Sequence, residues 1–231
     1  EAVQMHNIQL ALKIILNSAY GSLSNVYFRY FDVKLAESVT VSGQMALKWV
    51  EKDMNEYLNK VLNTTGVDYI IAIDTDSMYI ALEKIVALAM PHETDQTTIT
   101  NFVHKICKEA LEKVIDKAFN RLAKYTNAMS QKLVMKREVI ANKGIWIAKK
   151  RYILNVIDSE GVRYETPEIK MMGVEAIRTN TPYVCRGKIK ESFKLMMNEE
   201  ESDLQKLVKD FREEFKLLPF EEVSKPSGVN N

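Results

Sequence analysis

The stretch Tyr69–Leu82, YIIAIDTDSMYIAL, decides the fold expected for this chain. Two short apolar runs flank the polar tetrapeptide Asp74–Ser77, a pattern typical of a β-hairpin whose turn is that tetrapeptide. Positions 74 and 76 of an extended strand point to the same side, so the two carboxylates are expected to lie together. Such a pair repels itself unless a cation neutralises it, and its oxygens suit a hard ion such as Mg²⁺. An ordinary polar turn is the alternative, because a single Asp-x-Asp is a common pattern.

Helices are predicted on both sides of this hairpin, and a small sheet follows it. The apolar spacing predicts helices over residues 2–20, 34–60, 99–127, 183–198 and 201–217. Strands are predicted over residues 133–141, 145–156 and 162–164, separated by turns at 142–144 and 158–161. Ile8, Leu12, Ile15 and Ala19 form an apolar stripe on the first helix, and Met45, Trp49 and Leu58 are core candidates of the second. The fold class is therefore expected to be α+β, with a boundary near residue 180.

Composition excludes several classes of protein. The 231 residues include 32 basic and 31 acidic side chains, so the net charge of +1 does not by itself predict a nucleic-acid partner. No apolar run approaches the ~20 residues that a membrane span needs, and no membrane association is expected. Cys107 and Cys185 are too few for a disulfide framework or a zinc site, so an intracellular protein is expected.

One face of the first predicted helix carries polar groups suited to a nucleotide. Lys13, Asn17 and Tyr20 follow at i, i+4 and i+7, which places them on the same side, and Gly21 comes next. Lysine suits a phosphate, asparagine a phosphate or hydroxyl, and tyrosine offers a flat stacking face, while glycine permits close approach of a ligand. The alternative is a solvated polar edge with Gly21 ending the helix.

A local excess of basic residues lies between positions 132 and 151. Seven cations stand there against the single acid Glu138. The tetrad Lys149, Lys150, Arg151 and Tyr152 is expected at a strand start, where neighbouring cations can contact the phosphates of a nucleic acid. A solvated edge strand guarded by lysines is the alternative.

The order of these motifs resembles the family B DNA polymerases, and within them the replicative polymerases of T-even-type bacteriophages. The resemblance covers essentially the whole chain. The stretches that carry it are KIILNSAYG (13–21), NVYFRYFD (25–32), GQMAL (43–47), DTDS (74–77), KKRYILN (149–155), MGVE (172–175) and Thr181–Pro182.

The resemblance implies a nucleotide and metal site. Asp76 would be the principal metal ligand and Asp74 the more peripheral one, both catalytic, holding two Mg²⁺ ions in the complete enzyme. Lys13 would hold the triphosphate of an incoming dNTP with help from Asn17. Tyr20 and Gly21 would lie under the nascent base pair. The reaction implied is template-directed transfer of a nucleotide to a primer 3′-OH.

The resemblance also implies a DNA interface and a domain division. Lys149, Lys150, Arg151 and Tyr152 would hold the primer–template, and Arg178 would touch the DNA backbone. Residues 1–24 would be the end of a fingers helix, 25–180 the polymerase palm and 181–231 part of the base of the thumb. The cytoplasm of an infected bacterium would be the place of action.

The sequence departs from the family pattern at two points. Ala72-Ile73 stand where a Tyr-Gly pair usually precedes the aspartates, which is expected to affect primer gripping or fidelity. The upstream Asp-x-x-Ser-Leu-Tyr-Pro-Ser motif, which supplies another metal-binding aspartate, has no match. We therefore expect these 231 residues alone not to polymerise DNA and to need an upstream polymerase half, from the same gene or a partner chain.

Other functions are compatible with some of the motifs. A non-catalytic palm-like module that binds nucleic acid would explain the basic segment but would leave the aspartate pair without a role. A glycosyltransferase could use Asp-x-Asp to hold a metal and a nucleotide-sugar, but it would need parallel strands upstream of the motif. Reverse transcriptases and RNA polymerases also use palm hairpins, and the motif on the first helix favours DNA polymerase over both.

Overall fold

The chain folds into helices and two antiparallel sheets, as the α+β expectation requires. The structure, a computed structural model, describes residues 2–225, with side chains from Val3 onward. The helices are α1 (Ala2–Ser22), α2 (Val33–Val61), α3 (Glu83–Ala89), α4 (Gln96–Ile106), α5 (Glu112–Tyr125), α6 (Tyr183–Asn198), α7 (Glu201–Phe215) and α8 (Phe220–Val223). The strands are β1 (Ile70–Asp74), β2 (Ser77–Ile80), β3 (Val139–Ala148), β4 (Arg151–Ser159) and β5 (Val162–Met172). No helix within residues 2–225 is long and apolar enough to cross a membrane.

The chain divides into two compact units that are interleaved in sequence. Among the described residues, the first contains residues 2–85 and 113–135, and the second contains residues 86–112 and 136–225. The first unit holds α1, α2, the β1–β2 hairpin and nearly all of α5. The second unit holds α4, the β3–β4–β5 sheet and α6 to α8.

The core of the first unit is the C-terminal half of α2 and the apolar face of α5. Val50, Met54 and Leu58 recur at a spacing of four residues and are fully buried. The Asp32 carboxylate caps the start of α2 by accepting a hydrogen bond from the Leu35 N–H at 3.1 Å. The prediction of Leu58 as core is confirmed, whereas Met45 is wrong because its side chain lies on the surface.

Helix α1 is exposed on every side, and large apolar side chains lie on several of its faces. Its predicted apolar stripe does form, but Ile8, Leu12 and Ile15 are all exposed, as are Leu10 and Leu16 on other faces. The boundaries predicted for the helix are confirmed to within two residues at each end. No element within residues 2–225 covers this stripe.

The second unit is built on the antiparallel meander β3–β4–β5. Its middle strand is buried from Tyr152 to Asp158, because it has a neighbour on both edges. Ile153 packs with Val174, Ala176 and Met197 in a dry cluster, which joins the sheet to the segment after β5 and to α6.

Several sequence-based boundaries are wrong. Only the last three residues of the strand predicted over 133–141 belong to β3, and the strand predicted over 162–164 continues to Met172. The turn predicted at residues 142–144 does not exist, because β3 continues through Gly144 and the chain reverses at Lys149–Lys150 instead. Gly144 marks the place where the Trp146 ring lies on the strand: a Cβ atom there would be 2.6 Å from ring carbons. The helix predicted over residues 99–127 begins earlier, at Gln96, and is interrupted by a π-helical turn at Cys107–Leu111.

The last residues of the chain are only partly described. Residues 224–231 are predicted from their composition to be a loop. Ser224 and Lys225 are non-helical, and residues 226–231 lie outside the described part of the chain.

Candidate functional site

The aspartate pair lies in a tight turn of the β1–β2 hairpin. Asp74 ends β1 opposite Ser77, and the Asp76 N–H donates back to the Asp74 carbonyl at 2.5 Å. The residue between them, Thr75, has φ +45°, a left-handed conformation that is unusual for a β-branched side chain. Such a conformation costs about 1–3 kcal/mol and persists only where the surroundings impose it.

The two carboxylates have different environments. Asp74 is half-buried, and its carboxylate accepts a hydrogen bond from the Thr75 hydroxyl at 3.0 Å. The Ser77 hydroxyl donates to the Asp74 carbonyl at 3.2 Å, which closes the turn. Asp76 is exposed. The turn therefore secures Asp74 within the hairpin and presents Asp76 to a ligand.

The donor set partly fits a magnesium ion. Two carboxylates two residues apart supply the hard oxygen ligands that Mg²⁺ prefers. Among residues 2–225, no three His, Cys, Asp or Glu side chains come together as a metal site would require. Asp74 and Asp76 can thus supply part of the coordination sphere of a metal ion. The remaining ligands of such an ion would come from bound substrate, water or other protein segments.

Two asparagines of α2 position the hairpin, and the sequence analysis missed both. Asn59 accepts from the Val67 N–H at 3.0 Å and donates to the Val67 carbonyl at 2.7 Å. Asn55 accepts from the Tyr69 N–H at 2.9 Å, directly before β1. These bonds attach the segment that leads into β1, the strand that ends at Asp74, to helix α2. The i, i+4 spacing of the two asparagines is the signal that could have revealed them.

The polar face of α1 is formed as predicted. Lys13, Asn17, Tyr20 and Gly21 are exposed, so a ligand can reach all four. Gly21 lies inside the helix, which ends at Ser22, and the space above its α-carbon is open. It is therefore not the residue that ends α1.

The basic residues of the second unit do not form a single surface. Arg137 is buried, forms an ion pair with Asp158 and donates to the His104 Nδ1 atom at 2.7 Å. Lys143 donates to the Met197 carbonyl at 2.5 Å. These two cations therefore make contacts within the unit.

The predicted tetrad lies at the tip of the β3–β4 hairpin. Lys149 and Lys150 form the exposed turn, and Lys150 has φ +61°. Arg151 is half-buried, while Tyr152 is buried with its ring centroid 6.5 Å from that of Trp146. Three cations therefore lie at the tip, whereas Tyr152 packs against Trp146 at the base of the hairpin.

Residues after β5 contact this tip. Glu175 forms an ion pair with Arg151, and the Gly173 carbonyl accepts from the Arg178 Nε atom at 3.2 Å. The pKa of the Glu175 carboxyl is lowered, first by its own backbone N–H and then by Arg151 and Arg178. Arg178, predicted separately from the tetrad, therefore belongs to the same group. The sequence analysis assigned no role to Gly173 or Glu175.

Comparison with known proteins supplies the final observations. The sequence model of a family described as DNA polymerase family B matches residues 1–225. The chain is 35% identical to the DNA-directed DNA polymerase of Enterobacteria phage T4 and 39% identical to that of Escherichia phage RB69. Each alignment covers 96% of this chain and 26% of the relative. A DNA polymerase of Pyrococcus glycovorans is 28% identical over 94% of this chain and 24% of its own length. The chain therefore spans about a quarter of the length of these curated relatives.

Proposed function

This chain belongs to DNA polymerase family B, and from that premise we propose that it supplies part of the active site of a DNA-directed DNA polymerase. The observation that carries the proposal is the β-hairpin whose tight turn presents Asp76 beside Asp74. The expected partners are primer–template DNA and dNTPs. The expected place of action is the cytoplasm of a phage-infected bacterium.

The aspartate turn has the electrostatic role in this proposal. Two Mg²⁺ ions, when bound, would lower the energy of the attacking primer oxygen and of the leaving pyrophosphate. Asp76 would be the principal ligand and Asp74 the peripheral one, held by its bond to Thr75. Because the turn is fixed before substrate arrives, the carboxylates need little reorganisation during the reaction.

The nucleotide would bind along α1. Lys13 would neutralise charge on the triphosphate, and Asn17 would add a hydrogen bond one turn later. Tyr20 and Gly21 would face the nascent base pair, since one is flat and the other leaves open space. All four groups are exposed in the free chain, as an incoming nucleotide requires.

Primer–template DNA would contact the tip of the β3–β4 hairpin. Lys149, Lys150, Arg151 and Arg178 would bind backbone phosphates, whereas the buried Tyr152 would support the tip from below. Phosphate contacts of this kind position DNA without reading its sequence, which suits an enzyme that copies any template.

The domain division that accompanies this function is also a proposal. Residues 1–24 would be the end of the fingers helix, 25–180 the palm, and 181–231 part of the base of the thumb. The two interleaved compact units offer a different division, so limited proteolysis with mass spectrometry would identify the boundaries that hold in solution.

We propose that upstream polymerase segments complete the enzyme. Large apolar side chains are normally buried, and those of α1 outside its polar face, such as Leu12 and Leu16, are exposed here. The aspartate pair likewise lacks further metal ligands among residues 2–225. The isolated chain is accordingly expected to be inactive in DNA synthesis.

Primer extension by a chimera tests this function. In the chimera, this chain replaces the aligned segment of the RB69 polymerase, so that the missing parts are covalently present. We expect the chimera to extend a primer with dNTPs and Mg²⁺, and the isolated chain not to do so. A folded chimera that binds primer–template without extending it would contradict the catalytic proposal and favour a non-catalytic module.

A further inference from the structure

The segment after β5 forms a bracket around the basic hairpin tip. The bracket consists of Gly173, Val174, Glu175 and Ala176. Val174 and Ala176 are at most 1% exposed and pack with Ile153 and Met197 in the core. The residues that alternate with them, Gly173 and Glu175, contact the tip. The core therefore anchors the bracket, and the bracket can hold the tip.

Gly173 allows the bracket to approach the turn closely. Its φ of +62° is accessible to glycine at little cost but strained for other residues. A Cβ atom at this position would overlap the Lys150 carbonyl oxygen and would lie 3.2 Å from the Arg151 Cγ atom. The backbone of the Lys149–Lys150 turn thus packs directly against the Gly173 α-carbon.

Glu175 is an acid placed among proposed phosphate-binding cations. It forms an ion pair with Arg151, and its charge also interacts with Arg178. A carboxylate at a DNA-binding surface repels phosphates, so its presence weakens binding unless it serves another purpose. Orienting the long, flexible side chain of Arg151 is such a purpose, because ordering it beforehand lowers the entropy lost on binding.

We infer that Gly173 and Glu175 are positioning residues that hold Lys150, Arg151 and Arg178 in place to receive the DNA backbone. This inference rests on the proposed function, since it presupposes that the tip binds primer–template. Lys150 is itself held at φ +61°, which is a strained conformation for lysine. The Gly173 α-carbon supports that conformation, the Gly173 carbonyl accepts from the Arg178 Nε atom, and Glu175 fixes the direction of the Arg151 guanidinium group.

The Glu175→Gln variant of this chain gives the decisive test. Simple electrostatics predicts tighter DNA binding, because the substitution removes a negative charge from the surface. Positioning predicts the opposite: about fivefold weaker binding of a fluorescein-labelled primer–template, the effect expected from the loss of one exposed ion pair. Positioning also predicts a shallower dependence of log Kd on log salt, by up to about one phosphate contact. Fluorescence anisotropy measures the Kd and its dependence on salt. A range of about 50 to 200 mM NaCl is suitable, because the effect of phosphate contacts on affinity is large in that range.

Two further variants distinguish the positioning of cations by Glu175 from a general change in surface charge. Glu165→Gln removes an exposed acid from β5, and we expect it to leave DNA binding unchanged or slightly tighter. Glu175→Asp keeps the charge on a shorter side chain, and we expect it to restore part of the lost affinity.

Gly173 has a matched control in the turn between β4 and β5. Gly161 also has a left-handed φ, +93°, but nothing lies within 4 Å of its Cβ position. Gly161→Ala and Gly173→Ala therefore share the backbone strain, and only the second displaces the Lys150 turn. We expect Gly173→Ala to weaken DNA binding more than Gly161→Ala at equal thermal stability, checked by circular dichroism.

The outcomes distinguish this inference from the function on which it rests. If the unmodified chain shows no salt-dependent DNA binding, the proposed interface and the bracket are both wrong. If the chain binds DNA and Glu175→Gln binds equally or more tightly, the interface stands and the bracket is wrong. Weaker binding of Glu175→Gln and Gly173→Ala, with both controls unaffected, supports the bracket.

Discussion

At the scale of single residues, Lys13 is the group on α1 whose role is easiest to isolate. It is exposed, and it is the sole lysine or arginine of that helix. A lysine that contacts the triphosphate contributes binding energy before and during the reaction. Its loss should therefore act mainly on nucleotide use and less on the DNA complex.

We predict that Lys13→Ala in the chimera raises the KM for dNTP about tenfold or more, as expected from losing a hydrogen bond to a charged group. Steady-state incorporation with varied dNTP measures the effect. Gln9→Ala, one turn earlier on the same face, should keep the original KM. An unchanged KM in the Lys13 variant would remove this residue from the nucleotide site.

His104 is the residue through which pH should act on stability. Its Nδ1 atom accepts a hydrogen bond from Arg137 and must be unprotonated to do so. Burial, followed by the charge of Arg137, lowers the pKa of His104 below its ordinary value near 6.5. Above that ordinary value neither the folded nor the unfolded chain protonates this ring. As the pH falls further, the unfolded chain takes up the proton first, and folding loses stability until the lower, folded pKa is passed.

We predict that the free energy of unfolding declines as the pH falls from about 7.5 to about 5.5. This window lies above the ordinary pKa values of carboxyl side chains, which are about 3.9–4.3. Urea denaturation at several pH values measures it. His104→Gln should flatten the decline in this window, whereas His92→Gln should preserve it. Equal slopes for His104→Gln and the unmodified chain would contradict the assignment.

At the scale of elements, the contact between α2 and the entry to β1 decides where the aspartates lie. Asn59 satisfies both backbone groups of Val67 and also accepts from the Thr64 hydroxyl at 2.9 Å. Few side chains can donate and accept at once in this way. The bonds from α2 therefore constrain the position of the hairpin.

Asn59→Ala should destabilise the first unit by about 2 kcal/mol, because partly buried backbone groups would lose their partners. Asn120→Ala is the matched control, since Asn120 is exposed and donates only to a carbonyl of its own helix. Urea denaturation should place that control within about 0.5 kcal/mol of the original chain. Similar losses in both variants would mean that the contact with Val67 contributes little.

The elements also show which structural features the sequence could predict. Helix positions followed from apolar periodicity, and the β1–β2 hairpin followed from its polar tetrapeptide. The break expected at residues 142–144 failed because Gly144 accommodates the Trp146 ring, a contact that local pattern does not reveal. The true turn at Lys149–Lys150 contains no glycine, and the bracket after β5 supports it through contacts distant in sequence.

At the scale of the whole molecule, burial was the least predictable property. The stripe on α1 has the spacing of a core face, yet residues 2–225 provide nothing to cover it. Periodicity predicts that a face will be buried, but it does not say by which segment. The candidate site divides in the same way. The order of motifs predicts the aspartates and the basic tip, whereas the contacts of Asn59 with Val67 and of Glu175 with Arg151 are visible only in three dimensions.

Single-nucleotide incorporation by the chimera carrying Asp76→Asn tests the central claim most directly. The substitution keeps the size of the side chain and removes the charge that a metal requires. We predict a fall in the rate of at least about a hundredfold, the loss typical of removing one electrostatic group from an active site. Asp116→Asn, which alters an exposed carboxylate of α5, should leave the rate unchanged. Near-normal incorporation by the Asp76 variant would contradict the account, because the turn of the β1–β2 hairpin would then not be the catalytic site.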